Sequence, residues 1–129
     1  TVVSKDAPDL TSVRGKIKMK NYAGALAEVK PLVEKHDHAD VYNLYAFTSR
    51  KTGDRKTAAT YYAKALELDP KHRGALEYQG EMFVESGDMK KARANLAQLA
   101  TLCPSGCEEL EDLEQALAAA PKSNAAKVN

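Results

Sequence analysis

The sequence predicts an all-α fold built from repeated helix hairpins, and three observations support this prediction. Ala, Leu, Lys and Glu dominate the 129 residues, and only five Pro and seven Gly interrupt them, which favours helices. A pattern of small residues, Gly and Pro recurs at a fixed spacing. The C-terminal region has a single apolar stripe at helical spacing. Few stretches alternate β-branched with polar residues, so we expect no strands.

The repeat has a period of 34 residues and is visible in two stretches, "KTGDRKTAATYYAKALELDPKH" (51–72) and "ESGDMKKARANLAQLATLCPSG" (85–106). The matching pairs at this spacing are Gly53 and Gly87, Asp54 and Asp88, Ala58 and Ala92, and Pro70 and Pro104. A weaker unit in residues 20–38 aligns Asn21, Ala25 and Leu26 with Asp54, Ala58 and Ala59. Repeats of this length indicate stacked supersecondary units.

Each unit is predicted to form a helix, a tight turn and a second helix. Gly53 and Gly87 stand where a first helix ends, since Gly tolerates a left-handed conformation. Asp54 and Asp88 are the expected N-caps of the second helices, and a Pro follows each second helix. Small residues recur where helices approach closely: Ala46, Ala58, Ala65, Gly80 and Ala92. Large residues recur where gaps need filling: Tyr42, Tyr45, Tyr62, Leu76, Phe83 and Leu96.

This spacing of aromatic, small and Pro residues resembles the tetratricopeptide repeat (TPR) family. The resemblance implies about three helix hairpins in a right-handed α-solenoid, with repeats at about 5–38, 39–72 and 73–106. It is specific for the second and third units. We predict one domain over residues 1–120 and a disordered tail over residues 121–129.

After the third unit, residues 107–120 are predicted to form a capping helix. Leu110, Leu113 and Leu117 make one apolar stripe, as the last helix of a repeat stack needs. Acidic residues crowd its first turns, where the helix dipole is positive.

The two cysteines, Cys103 and Cys107, flank the turn before this helix, and three interpretations remain open. A disulfide would fix the capping helix on the third unit. Reduced, buried thiols are the second possibility. A redox or copper-type metal role is the third, because thiolates suit soft metals. A complete zinc site is not expected, because a second pair of ligands is missing. A thioredoxin-like motif is not expected either, because its cysteines are separated by two residues and these by three.

No enzymatic constellation is visible, so we expect neither an enzyme nor a cofactor. No Gly-rich phosphate loop and no glycine-framed nucleophile occurs. His36 and His38, in a linker, and His72, in a turn, are expected to be polar linker or capping residues rather than metal ligands. We therefore predict no metal site.

In TPR proteins the first helix of each hairpin lines a concave groove that binds peptides. The resemblance therefore implies a protein-binding groove formed by Arg14, Lys18, Asn43, Phe47, Arg50, Lys51, Glu77, Glu81, Val84 and Glu85. It would be basic at its N-terminal end and acidic at its C-terminal end, with Phe47 as an apolar anchor. The alternative for Phe47 is a place in the core between helices. Glu77 and Glu81 stand where chaperone-binding TPR proteins need cations, which argues against that partner.

The function predicted from the sequence is a non-catalytic scaffold or adaptor that binds a protein or peptide. The alternatives are a periplasmic copper-type carrier using Cys103 and Cys107, and a self-assembling module. With a net charge of +1 and no apolar stretch of spanning length, we expect neither nucleic acid binding nor membrane insertion. We expect a monomer or weak self-association.

The expected location is the periplasm, with the cytoplasm as the alternative. The chain starts at Thr1 without Met, which is typical of a processed or trimmed product. The segment "CPSGCEELEDLEQAL" also resembles the ending of small exported TPR proteins of proteobacteria. A structural disulfide would point to an oxidising compartment as well.

Overall fold

The structure of the chain is a computed structural model that describes residues 3–121. Its helices are α1 (Thr11–Lys18), α2 (Tyr22–Val33), α3 (Ala39–Lys51), α4 (Arg55–Leu68), α5 (Arg73–Glu85), α6 (Met89–Leu102) and α7 (Glu108–Ala119). These residues contain no strand, and β-type pairing is limited to one isolated bridge between Ser4 and His36. The predicted all-α fold of helix hairpins with a C-terminal capping helix is confirmed.

The chain divides into two compact units, Thr1–Ala75 and Leu76–Asn129. The first contains α1 to α4 and the start of α5, and the second contains the rest of α5, α6 and α7. The single domain over residues 1–120 stays a prediction. The tail predicted to be disordered lies outside the described residues, except for Pro121.

The turns within the second and third hairpins adopt the predicted conformation. Gly53 and Gly87 have φ angles of 98° and 82°, a left-handed region that is strained for residues with a Cβ atom. Asp54 then caps α4 by accepting the amide hydrogen of Thr57, at 3.1 Å. The carboxylate of Asp88 caps α6 in the same way. The repeated Gly-Asp pair therefore ends one helix and starts the next.

The first hairpin follows the same plan with different residues. Lys20, with a φ angle of 62°, stands where the other hairpins have Gly. Asn21 caps α2 by accepting the amide hydrogen of Gly24. Helix α1 has eight residues, whereas α3 and α5 have 13 each. The chain before α1 runs extended and pairs with the α2–α3 connection through hydrogen bonds between Ser4 and residues 35 and 37.

Each unit has a core of small and branched residues at helix contacts. In the first unit one cluster comprises Leu10, Val13, Ala25, Val29, Val41 and Leu44. Ala58 and Tyr62 of α4 are fully buried as well. In the second unit Ala92, Leu99 and Leu113 are fully buried. Each buried Val or Leu stabilises the fold by about 1.5–3 kcal/mol relative to an exposed one.

Candidate interaction site

One face of α3 contains three of the residues predicted to line the groove. Asn43, Phe47 and Arg50 are spaced by four and three residues, so they project from the same side of the helix. Each is buried, with 3%, 7% and 7% of its surface exposed. Lys51, one residue further, is exposed. Lys51 therefore opens to solvent, while Asn43, Phe47 and Arg50 are enclosed.

Asn43 has a buried carbonyl oxygen that accepts no hydrogen bond from the described residues. Its amide nitrogen lies 3.2 Å from the position that a Cβ atom on Gly74 would take. The His72 ring lies at the same distance from that position. Gly74 therefore leaves room for the Asn43 amide and the imidazole. An unsatisfied buried oxygen costs about 1–3 kcal/mol.

Phe47 belongs to an aromatic pair under two cations. Its ring meets the Tyr22 ring edge-on, with centroids 6.0 Å apart. The Lys51 ammonium lies 5.5 Å from the Phe47 centroid and 5.8 Å from that of Tyr22, and the Arg50 guanidinium lies 5.3 Å from Phe47. These distances fit cation–π attraction. The role of Phe47 as a peptide anchor stays a prediction, and its ring offers only a small exposed edge.

The remaining basic residues of the predicted groove are Arg50 on α3 and Arg14 and Lys18 on α1. Arg50 donates a hydrogen bond to the buried Tyr62 hydroxyl, at 3.3 Å, so α4 holds its side chain in place. Arg14 and Lys18 are exposed and lie one turn apart on α1. The structure thus leaves Arg14, Lys18 and Lys51 open to solvent in the first unit.

In the second unit, Glu77, Glu81, Val84 and Glu85 lie on α5. Glu77 is buried, with 8% of its surface exposed. Burial, above all, and then a hydrogen bond with Glu81 raise the pKa of Glu77 far above its usual range. The charges of Glu81, Asp112 and Glu109 act in the same direction. The raised pKa favours the protonated form of the Glu77 carboxyl at neutral pH, which lowers the negative charge of this part of α5.

Cys103 and Cys107 lie at the two ends of the turn between α6 and α7. Their Cα atoms are 5.9 Å apart and their sulfur atoms are in bonding contact, which is the arrangement that a disulfide requires. Cys103 is buried, and Gly106 between them has a φ angle of 95°. The turn therefore lets α7 fold back so that Leu113 packs against Gly80.

The three histidines contact backbone groups or carboxylates, and sequence reasoning missed one of these contacts. His38 and His72 accept amide hydrogens of Asp40 and Ala75, each at 3.0 Å. His72 also donates from Nε2 to the Asp40 carboxylate at 2.6 Å. The 34-residue spacing of the two histidines is the signal for a shared capping role. No group of three or more His, Cys, Asp or Glu among residues 3–121 is arranged to hold a metal ion.

A shallow depression of about 260 Å³ lies outside the predicted set, beside α4, and its lining includes Asp37, Tyr42 and Lys64. The Tyr42 hydroxyl donates a hydrogen bond of 2.6 Å to Asp37, which lowers the pKa of that carboxyl. Burial and the same bond raise the pKa of Tyr42 to about 12. The bond therefore joins the α2–α3 connection to α3.

Comparison with known proteins supports the assignment of the helix hairpins. Residues 50–106 match the tetratricopeptide repeat family, which covers the end of α3 through α6 and the Cys103 turn. The chain is also similar to the uncharacterized protein ycf37 of Pyropia yezoensis, with 27% identity over 90 residues. That match covers 70% of this chain and 48% of the relative, so the chain spans about half the length of the curated relative it matches. Proteins built from TPR repeats generally mediate protein–protein interactions. None of the helices described here is both long enough and apolar enough to cross a membrane.

Proposed function

We propose that the chain is a TPR-type adaptor without catalytic activity, and that α1 and α3 of the first unit bind an acidic peptide segment of a partner protein. The match to the TPR family over residues 50–106 supports the class of function. The chemistry of the exposed side chains on α1 and α3 supports the acidic character of the ligand.

The arrangement of Lys51 is the observation on which the proposal rests. Its ammonium lies within 6 Å of the Tyr22 and Phe47 rings, which orient it, and its side chain is exposed. A carboxylate of a bound peptide would meet an oriented cation here, at a lower entropic cost than at a freely rotating lysine. Arg14 and Lys18 on α1 would extend the positive surface. Binding should therefore be faster at low salt.

The proposal is tested by selecting peptides from a random display library on the immobilised protein and measuring their affinities by calorimetry. We expect acidic peptides. Lys51→Glu should weaken binding at least about tenfold, because an attraction becomes a repulsion. Lys64→Glu is the matched control, since Lys64 is also exposed and lies 4.9 Å from the Tyr61 centroid, but on the second helix α4.

The control should bind like the unchanged protein. Equal affinities for the unchanged protein and Lys51→Glu would contradict the proposal. So would a selection that returns no peptide, or one dominated by basic peptides.

We further propose that Cys103 and Cys107 form a disulfide in the working protein, and that the protein functions in an oxidising compartment such as the periplasm. The 5.9 Å separation of their Cα atoms supports the pairing. Thiol counting under denaturing conditions should find no free thiol in protein from its native host. Two free thiols would contradict both statements.

A further inference from the structure

The two hairpin turns of the first unit expose an unusual combination of side chains. We call this the turn surface: Met19 and Lys20 in the α1–α2 turn, and Arg55 and Lys56 at the start of α4. All four are exposed. Met19 is 82% exposed, more than Val3 at 47% or Leu68 at 45%. A large apolar side chain thus projects into water next to a cation.

The two turns lie at the same end of the first unit. Tyr22, the first residue of α2, touches Phe47 and Lys51 of the last turns of α3. Lys20 precedes Tyr22 by two residues, and Arg55 follows Lys51 by four. The α1–α2 turn and the α3–α4 turn are therefore neighbours, and their charges reinforce one another.

Helix stabilisation does not explain these cations. Basic residues in the last turns of α1 and α3 suit the negative ends of those helix dipoles. Arg55 and Lys56, however, occupy the first turn of α4, where the dipole disfavours positive charge. Asp54 is the only acidic residue in the stretches 16–20 and 50–56, which contain seven basic ones. Lys16 pairs with Glu28, and Arg50 is buried against the Tyr62 hydroxyl. The other five basic residues are exposed, so an excess of positive charge faces solvent here.

We propose that the turn surface docks the protein on an anionic phospholipid membrane, with Lys20, Arg55 and Lys56 at the headgroups and Met19 inserted among them. Exposed basic residues near an anionic bilayer gain favourable energy without a shaped pocket. A flexible apolar side chain among them gains by entering the interface. An acidic peptide would use the cations but would have no bilayer interior for Met19. This docking is peripheral and separate from the peptide binding by α1 and α3.

The test is co-sedimentation of the full chain with vesicles of phosphatidylcholine alone or mixed with phosphatidylglycerol. The unchanged protein should bind only the anionic vesicles and should dissociate at about 1 M salt, where charges are screened beyond about 3 Å. Lys20→Glu with Lys56→Glu should reduce partitioning at least about 30-fold, since each lost cation accounts for about fivefold. Met19→Ser should reduce it about fivefold.

The matched control is Lys35→Glu with Lys71→Glu. It changes the net charge equally, but at exposed lysines that follow the ends of α2 and α4. The control should bind like the unchanged protein, and thermal melts should show that all variants fold. Equal loss in both double variants would overturn the proposed location. Binding to poly-glutamate without binding to anionic vesicles, or binding to neither, would overturn the membrane assignment.

Discussion

At the scale of single residues, two buried asparagines show how this fold treats polar groups differently. Asn95 of α6 donates to the Leu76 carbonyl at 3.1 Å and to the Gln79 side chain at 2.9 Å. Asn43 of α3 keeps an oxygen that accepts no hydrogen bond from the described residues. The first asparagine therefore stabilises its unit. The unsatisfied oxygen of the second lowers the stability of its unit.

Asn43→Leu should raise the free energy of unfolding by about 1 kcal/mol, because it removes an unsatisfied buried oxygen. Asn95→Leu is the control and should lower the free energy of unfolding by about 1–3 kcal/mol, because two acceptors lose their donor. Urea denaturation of both variants checks this. Destabilisation by Asn43→Leu comparable to that by Asn95→Leu would show that the Asn43 amide has a structural role.

Glu77 should make stability depend on pH. Its folded pKa is raised above the reference value of 4.5, so the unfolded chain releases a proton that the folded protein keeps. The contribution is fully present below about pH 4.5 and is lost as pH rises toward the folded pKa, by at most about 1.4 kcal/mol per pH unit. Glu77→Gln should remove this decline, which over pH 5 to 8 amounts to at most about 4 kcal/mol, or on the order of ten degrees in melting temperature. The exposed Glu114→Gln should retain it, and identical pH profiles for all three proteins would refute the assignment.

At the scale of secondary-structure elements, α7 depends on the absence of a side chain in α5. A Cβ atom on Gly80 would lie 2.7 Å from a methyl group of the fully buried Leu113. Gly80→Ala should therefore shift α7 and destabilise the protein by about 1–3 kcal/mol. Gly15→Ala in α1 is the matched control, since nothing lies within 4 Å of its would-be Cβ atom. It should stabilise by about 0.5–1 kcal/mol, and thermal melts of equal midpoint for the two variants would contradict the proposed packing.

The Cys103–Cys107 link should stabilise the attachment of α7 only modestly. Closing so short a loop lowers the conformational entropy of the unfolded chain, which stabilises the folded state by about 2 kcal/mol. In thermal melts, a reductant should lower the stability of the unchanged protein by at most this amount. The double variant Cys103→Ser with Cys107→Ser should have the same melting temperature with and without the reductant. A reductant effect that persists in the double variant would show that it does not come from this pair.

Helix starts and ends were predictable because the residues that set them act locally. The left-handed φ angles of Gly53 and Gly87 set the turns, and the side chains of Asp54 and Asp88 cap the helices that follow. The contact between His72 and Asp40, in contrast, joins residues 32 apart through tertiary packing. The burial of Phe47 beside Tyr22 has the same origin. Such contacts depend on how helices face one another, which periodicity alone does not specify.

At the scale of the whole molecule, charge is distributed unevenly along the chain. Residues 1–73 have a net charge of +5 and residues 74–129 of −4. The sequence predicted a groove that is basic at its N-terminal end and acidic at its C-terminal end. It did not predict that the pKa of Glu77 is raised or that exposed cations lie in the hairpin turns of the first unit. The first unit therefore has an excess of basic residues, and it is the one that we propose binds acidic ligands.

The most direct test of peptide binding by α1 and α3 is a map of backbone amide chemical shifts, recorded as a selected acidic peptide is added to the labelled protein. In the first unit, the largest shifts should occur on α1 and α3, around Arg14, Lys18, Asn43 and Lys51, while the exposed face of α4 around Lys64 stays unchanged. Shifts confined to α4, or an unchanged spectrum at peptide concentrations that saturate binding by calorimetry, would contradict the account.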